Sequence, residues 1–206
     1  MRNLARYLRE TERESFEVDI QLQGRSRNIK TIFTKAEIKA LYNACDGDVL
    51  GIRDKAMLAV YYGCGLRRNE GVNLDTGDIL PGKNLLFVRK GKNYKERYVP
   101  ITEAVKEDIL NYLDYARPVL IKKQTNALFL NSRGERITAS MLAERLKKLK
   151  CKAGIDKVAG LHTLRHSIAT HLLQSGMKLA QIKRFLGHSS LESTQIYTHL
   201  ANDITE

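Results

Sequence analysis

The sequence predicts a mainly helical α+β domain that carries a small three-stranded antiparallel sheet. Three observations indicate this fold class. Apolar residues recur at helical spacing after a capping pattern at Thr34, a β-hairpin pattern occupies residues 85–100, and the last third of the chain is again helical. The chain has 206 residues, of which 43% are hydrophobic, and this is enough for one packed domain.

The first helices follow from capping and breaking residues. Thr34 and Glu37 form a capping box, in which each side chain accepts a hydrogen bond from the backbone N–H of the other residue. Three residues then follow at helical spacing: Ile38, Leu41 and Tyr42. Residues 50–62 are more apolar and predict a buried helix, which ends at the glycine-rich stretch 63–65.

The sheet is predicted in the middle of the chain. Residues 85–88 are apolar β-formers, residues 91–94 supply a turn, and residues 97–100 return as the second strand of a hairpin. The run Ala127–Leu130 predicts a third short strand, and the turn at residues 132–134 follows it.

Two capped helices flank this third segment. Thr102 begins a helix that runs to about Tyr115 and is closed by Pro118. The second helix is predicted over Thr138–Lys152, with Leu142, Leu146 and Leu149 on its buried side. Its other face is basic and predicts either a solvated surface or phosphate contacts: Arg145, Lys147, Lys148, Lys150 and Lys152.

The last third reads as three helices separated by glycines. They are predicted over residues 162–175, 178–186 and 191–199, and Gly176 and Gly187 mark the breaks.

Composition limits the function classes. Lys and Arg number 35 against 23 Asp and Glu, so the net charge is +12 and the sequence pI is near 9.7. A chain this basic predicts a polyanionic partner, and nucleic acid is the commonest one. The first 30 residues are polar and rich in arginine, so we expect an arm or linker there, and the sequence pattern predicts no membrane span.

The three cysteines indicate a reducing environment. Their number is odd, they lie far apart, and no C-x-x-C occurs, which argues against a disulfide framework or a zinc ribbon. We therefore expect a cytoplasmic protein in which Cys45, Cys64 and Cys151 are small buried side chains.

A set of chemically active side chains fits one reaction, the cutting of a DNA backbone by a tyrosine. The phenol, with a pKa of about 10, must lose its proton as it attacks phosphorus. Two arginines, Arg67 and Arg165, are suited to hold the non-bridging oxygens. A hairpin lysine can protonate the leaving 5′ oxygen, and histidines can donate hydrogen bonds or move protons. No metal is required if arginines stabilise the charge.

Five ordered strings then identify a resemblance over residues 34–198. They are G-L-R-x-x-E at 65–70, G-K-x-x-K-E-R-x-V-P at 91–100, H-x-L-R-H at 162–166, L-G-H-S at 186–189 and T-Q-I-Y-T-H at 194–199. On these motifs the chain resembles the catalytic domain of the tyrosine recombinases, the family of phage integrases and Xer chromosome-dimer resolvases. The resemblance implies that family's mainly helical fold with a small sheet.

The resemblance also implies a role for each matched residue. Arg67 and Arg165 would bind the scissile phosphate, and Glu70 would support them by orienting Arg67 or a histidine. His162 would accept a proton or bind phosphate, and His188 would contact the scissile phosphate.

The nucleophile and the general acid follow in the same way. Tyr197 would be the nucleophile and Lys92 the lysine that protonates the leaving oxygen, with Lys90 and Lys95 as rivals for that role. His162 and His166 could suggest a metal pair, but Arg165 between them and the lack of a third ligand argue against it, so we expect neither metal nor cofactor.

Domain organisation departs from the family pattern. We expect residues 1–30 to be an arm or interdomain linker and residues 31–206 to be the catalytic domain, without the N-terminal core-binding domain of typical members. The chain is then either a minimal protein or, as we expect, a fragment. The resemblance implies a homotetramer on paired sites of double-stranded DNA, although few residues follow Tyr197 to serve as an exchanged tail.

Two other functions share these residues or this fold. A type IB topoisomerase uses similar residues to relax supercoils, and a catalytically silent DNA-binding regulator keeps only the fold. The Xer-like strings disfavour the first, and retention of the complete residue set disfavours the second. The DNA site, and the choice between integration of a mobile element and dimer resolution, are not encoded in these motifs.

Overall fold

Helices make up most of the regular structure in the computed structural model, which describes residues 31–89, 96–188 and Thr194. The helices are α1 (Lys35–Asn43), α2 (Val49–Leu58), α3 (Arg68–Val72), α4 (Glu103–Asn111), α5 (Arg117–Leu120), α6 (Ala139–Lys152), α7 (Leu161–Gln174) and α8 (Leu179–Leu186). The strands are β1 (Ile79–Leu80), β2 (Leu85–Val88) and β3 (Arg97–Pro100), in one antiparallel sheet of order β1-β2-β3. The predicted fold class is confirmed.

The capping box at the start of α1 is confirmed. The Glu37 backbone N–H donates to Thr34 Oγ1 at 3.1 Å, and the Thr34 N–H donates to Glu37 Oε2 at 2.7 Å. Glu37 also pairs with Lys157 at 2.7 Å, which ties the beginning of α1 to the segment before α7.

Helix α2 ends where the glycines predict. Its regular part stops at Leu58 and continues as a π-helical turn over Ala59–Gly63. Gly65 then takes a left-handed conformation, with φ at 60°. A Cβ on Gly65 would lie 2.9 Å from Leu186 Cδ2, so the glycine lets the end of α8 pack directly against this turn.

Both predicted hairpin strands are confirmed. In β2 and β3 the paired residues include Leu86 with Val99 and Val88 with Arg97. The predicted turn at residues 91–94 lies outside the described residues. The third strand is β1, which pairs Ile79 with Leu86.

The prediction of a strand at Ala127–Leu130 is wrong. This run forms only isolated bridges, because side chains satisfy much of its backbone instead of a neighbouring strand. The Tyr112 hydroxyl donates to the Leu128 carbonyl at 3.0 Å and accepts from the Leu130 N–H at 3.1 Å. Arg117 donates to the Ala127 carbonyl. The apolar run is buried, and a tyrosine and an arginine bind much of its backbone.

Pro118 does not close the helix that Thr102 begins. After α4 the chain continues as a π-helical turn over Tyr112–Ala116 and then as α5, and Pro118 lies in the first turn of α5. The residue without a backbone N–H thus lies two residues beyond the π-helical turn, where the hydrogen-bonding pattern of the helix changes.

Helix α6 has the predicted apolar face. Leu142, Leu146 and Leu149 are buried in the main core. The basic face is partly used within the protein: Arg145 pairs with buried Asp54, Lys152 with Asp46, and Lys150 with the Lys157 and Ala159 carbonyls. Lys147 and Lys148 are exposed.

The cysteine prediction is confirmed at two positions and wrong at the third. Cys45 and Cys64 are buried, but Cys151 is exposed because it lies on the solvent side of α6, two residues beyond buried Leu149. All three are free thiols.

The predicted breaks around α8 are confirmed, with φ at 89° for Gly176 and 65° for Gly187. Helices α7 and α8 pack together around a small cluster of Ala169, Ile182 and Leu186. The predicted helix at 191–199 lies outside the described residues except for Thr194. No helix among residues 31–89 and 96–188 has the length and apolar character needed to cross a lipid bilayer.

We predict that Tyr112→Phe lowers the free energy of unfolding by about 1–3 kcal/mol, because the Leu130 N–H loses its acceptor inside the core. Urea unfolding measures the loss. Tyr115→Phe is the matched control, since Tyr115 is 69% exposed, and it should change stability little. Equal effects of the two substitutions would contradict the role assigned to the Tyr112 hydroxyl.

Candidate active site

Arg67 and Glu70 are linked by the local geometry at the start of α3. Arg67 is the N-cap residue, and Glu70 lies three residues on, where a side chain folds back to the cap. The Arg67 backbone N–H donates to Glu70 Oε2 at 2.8 Å, and Arg67 Nη1 donates to Glu70 Oε1 at 2.8 Å. Glu70 therefore fixes both the backbone and the guanidinium of Arg67.

Arg165 reaches the same place from α7. It is buried, and its Nη1 donates to the Gly65 carbonyl at 2.6 Å while its Nη2 donates to the Leu186 carbonyl at 2.7 Å. Its Nη1 also lies 3.8 Å from Glu70 Oε2. Arg165 thus connects the turn before Arg67 to the end of α8.

Three successive carbonyls at the end of α8 each accept a hydrogen bond from a different arginine. Phe185 accepts from Arg97 Nε at 3.2 Å, Leu186 accepts from Arg165 Nη2, and Gly187 accepts from Arg67 Nη2 at 3.3 Å. The C-terminus of a helix carries partial negative charge and unpaired carbonyls, so it favours cations. The end of α8 therefore collects guanidinium groups from three separate segments.

The Glu70 carboxylate lies among these arginines with its side chain fully buried. Besides the two bonds from Arg67, it accepts from Arg97 Nη1 at Oε1 and from Arg97 Nη2 at Oε2, both at 3.0 Å. Burial alone would raise the pKa of Glu70, but the hydrogen bonds and charge of Arg97 and the hydrogen bonds from Arg67 lower it to about 2. Glu70 is therefore ionised at neutral pH.

His188 lies two residues beyond the end of α8, after Gly187, and is half-buried. Its Nδ1 lies 2.9 Å from Thr194 Oγ1, in hydrogen-bond contact. Burial, followed by the positive charges of Arg165 and Arg67, lowers the pKa of His188 to about 3. The imidazole is therefore neutral at neutral pH and has one N–H donor and one acceptor nitrogen.

The structure brings together four of the seven predicted site residues: Arg67, Glu70, Arg165 and His188. His162 lies on the first turn of α7, three residues before Arg165, and is exposed. Lys92, its rivals Lys90 and Lys95, and Tyr197 lie outside the described residues. Within the part of the chain that the structure describes, no three His, Cys, Asp or Glu side chains group as ligands for a metal ion.

Two residues of the cluster were missed by sequence reasoning, although a signal existed for each. Arg97 lies two residues before buried Val99 along β3, so the strand period already placed a charged residue on the same, inner face. Thr194 lies three residues before Tyr197 in the sequence, which is one turn in the helix predicted at 191–199. Both act on residues of the cluster, Arg97 on Glu70 and Thr194 on His188.

This arrangement is suited to binding an oxyanion such as a phosphodiester. Arginine stays charged and its planar fork matches phosphate oxygens. The guanidinium groups outnumber the single carboxylate among them, so the cluster keeps positive charge, and Arg67 has 27% of its side-chain surface exposed.

Comparison with known proteins decides the family. A sequence model of the phage integrase family matches residues 31–203. The chain belongs to the phage integrase family. Among its curated members, the tyrosine recombinase XerC of Pelotomaculum thermopropionicum is 42% identical over 173 residues, which cover 81% of this chain and 56% of that protein. The resemblance predicted from the five strings is confirmed.

Solved integrase-family structures have the same fold. The crystal structure of XerA recombinase superposes with a TM-score of 0.76 at 33% identity, over 84% of this chain and 61% of that one. XerH recombinase in a pre-cleavage complex with its difH substrate gives a TM-score of 0.70 at 26% identity, over 85% of this chain and 53% of that one. The chain spans somewhat more than half the length of the curated relative it matches.

We predict that His188 makes the protein less stable as the pH falls. Above about pH 6.5 the ring is neutral in both states, but below it the unfolded state takes up a proton that the folded state refuses until about pH 3. The free energy of unfolding should therefore decline through this window.

Urea unfolding of the wild type and of His188→Gln at a series of pH values tests this. The glutamine amide keeps a hydrogen-bonding partner for Thr194 but does not titrate, so the variant should lose less stability between about pH 6.5 and pH 4. Parallel pH curves for the two proteins would contradict the assignment.

Proposed function

We propose that this chain is the catalytic domain of a tyrosine-type site-specific recombinase or integrase, which cleaves and rejoins double-stranded DNA through a 3′-phosphotyrosyl intermediate. The observation that carries the proposal is that Arg67 and Arg165 converge on Glu70 at the end of α8, with neutral His188 close to both arginines. Membership of the phage integrase family supports it.

In the proposed reaction the Tyr197 oxygen attacks the scissile phosphorus. The bond from phosphorus to the 5′ oxygen breaks, and the products are a 3′-phosphotyrosyl linkage and a 5′ hydroxyl. A 5′ hydroxyl from a partner duplex then attacks the phosphotyrosine and releases Tyr197. Each step exchanges one phosphoester for another, so the energy of the phosphodiester is retained and no nucleotide is hydrolysed.

The arginines would stabilise the charge that develops on the non-bridging oxygens. Arg67 and Arg165 are already fixed by Glu70 and by backbone carbonyls, so little reorganisation is needed when phosphate binds. When Thr194 donates to His188 Nδ1, the neutral ring carries its proton on Nε2 and can donate it to a phosphate oxygen. His162 is proposed as a proton acceptor or phosphate ligand at the first turn of α7.

The partner and the domain arrangement are part of the proposal. The XerH structure is a complex with its difH substrate, which supports DNA as the ligand of the arginine cluster. The family match over residues 31–203 supports residues 31–206 as the catalytic domain, with residues 1–30 as the arm. A homotetramer on paired sites and a cytoplasmic location stay predictions.

The Xer recombinases among the relatives favour recombination over the topoisomerase and regulator alternatives. A supercoil-relaxation assay beside a two-site recombination assay separates the first alternative. Failure of the protein to form covalent DNA adducts would support the second.

We predict that Tyr197→Phe abolishes covalent trapping on a nicked suicide DNA substrate, because the phenol oxygen forms the bond to phosphorus. Denaturing gels measure the adduct. Tyr115→Phe, an exposed tyrosine remote in sequence from the motifs, should trap like the wild type. Undiminished trapping by Tyr197→Phe would remove Tyr197 as the nucleophile.

We predict that the Lys92→Ala variant cleaves normal DNA more slowly than the wild type. It should cleave a substrate with sulfur in place of the leaving 5′ oxygen at nearly the wild-type rate. A thiol leaving group, with a pKa of about 8.5, needs no general acid, whereas an alkoxide does. Single-turnover rates on the two substrates measure the rescue.

Lys90→Ala and Lys95→Ala are the matched controls for this rescue, since each removes the same charge within two or three residues of Lys92 in the sequence. For each of these two variants, the cleavage rate relative to the wild type should be similar on the normal substrate and on the sulfur-substituted substrate. If sulfur rescues one of them and not Lys92→Ala, the general acid is that rival lysine.

A further inference from the structure

Arg97 has a position that the proposed mechanism does not use. It lies on β3 opposite Val88, on the inner face of the sheet, and only 9% of its side-chain surface is exposed. Burying an arginine on the core face of a strand costs free energy unless its donors are paired. The groups that Arg97 contacts therefore indicate its role.

Those contacts all lead to the arginine cluster. Both terminal nitrogens of Arg97 donate to Glu70 at 3.0 Å, and its Nε donates to the Phe185 carbonyl at 3.2 Å. Gly187 packs against the side chain so closely that a Cβ there would lie 2.8 Å from Arg97 Cδ. Because its nitrogens are engaged in this way, Arg97 acts on Glu70 and does not offer its fork to a substrate.

Glu70 would interfere with the proposed chemistry if it stood without Arg97. It orients Arg67 through two hydrogen bonds, but its negative charge also lies 3.8 Å from Arg165. A carboxylate this close would cancel part of the positive field that Arg67 and Arg165 apply to phosphate. The attacked phosphate gains negative charge in the transition state, so a weaker positive field would lower the cleavage rate.

We propose that Arg97 is a positioning residue that neutralises Glu70, so that Glu70 holds Arg67 in place without weakening the charge that Arg67 and Arg165 present to the scissile phosphate. This inference rests on the function proposed above. With Arg97 the cluster of three arginines and one carboxylate keeps two positive charges, and without it only one remains.

The test is a double-mutant cycle of Arg97→Gln, Glu70→Gln and both together, in single-turnover cleavage of the suicide substrate. Arg97→Gln should slow cleavage by about ten- to a hundredfold, less than the 10²–10³-fold typical of losing a direct oxyanion donor. The double variant restores two positive charges, and the amide oxygen that Glu70→Gln introduces still accepts from Arg67. It should therefore cleave faster than Arg97→Gln alone.

DNA affinity separates this role from general binding. Arg97→Gln should bind the substrate nearly as well as the wild type, so the loss appears in the cleavage rate. Arg97→Lys keeps the charge but not the two-pronged contact, and it should recover part of the rate.

Arg136→Gln is the matched control. Arg136 also pairs with one carboxylate, Asp75, and donates to backbone carbonyls, at Val72 and Leu74 just beyond Glu70. Its loss should lower thermal stability without lowering the cleavage rate of folded protein. If both arginine variants lose rate equally, or if the double variant is slower than Arg97→Gln, Arg97 is only a structural brace and the proposal is overturned.

A second measurement does not need activity. The groups that face Glu70 are Arg67 on its own segment, Arg97 from β3, Arg165 from α7 and the Tyr61 hydroxyl. Carboxyl-carbon NMR should find Glu70 ionised to about pH 2 in the wild type, and Arg97→Gln should raise the Glu70 pKa by about 1–3 units.

The two measurements keep the proposals distinguishable. If the wild type forms no adduct with any DNA substrate, the proposed function fails, and the NMR titration still decides whether Arg97 neutralises Glu70. If the wild type forms the adduct but the Glu70 pKa does not move in Arg97→Gln, the inference about Arg97 is overturned and the proposed function stands.

Discussion

The arrangement of this site depends on how three guanidinium groups are kept close together. Arg67, Arg97 and Arg165 repel one another, and each comes from a different segment of the chain. Four hydrogen bonds to the Glu70 carboxylate and single bonds to the last carbonyls of α8 offset that repulsion. The carboxylate is fully buried, so its attraction is not weakened by solvent, and the helix end adds partial negative charge. The cluster is thereby fixed before any ligand arrives.

The backbone around α8 makes this clustering sterically possible. Gly65 and Gly187 both take left-handed conformations, and both lie where a Cβ would collide with a neighbour, Leu186 in one case and Arg97 in the other. Two different constraints therefore select glycine at each position. The same close approach presents three consecutive carbonyls to three arginines, and it places His188 at the next residue of the chain. Packing between the turn at residues 63–65 and α8 is therefore what assembles the candidate active site.

Burial and the arginines of the cluster set the protonation states of Glu70 and His188. The arginines keep Glu70 ionised at neutral pH, so the carboxylate can orient Arg67. Burial together with the charges of Arg165 and Arg67 keeps His188 neutral, so the imidazole adds no charge to the cluster. His188 also contacts Thr194, which lies three residues before Tyr197 in the sequence. A site built in this way can stabilise a phosphate transition state through fixed dipoles and charges, and the phage integrase family to which the chain belongs fits that use.

The sequence by itself determined the local features, because capping boxes, glycine breaks and strand alternation act over a few residues. Helix α1, the hairpin strands and the family motifs with Arg67, Glu70, Arg165 and His188 could all be predicted in this way. Only the tertiary structure decided which backbone groups find which partners. It gave the third strand to Ile79–Leu80, because Tyr112 and Arg117 satisfy the backbone of the run 127–130. It also turned Arg97 toward Glu70, a contact across 27 residues that no local pattern specifies.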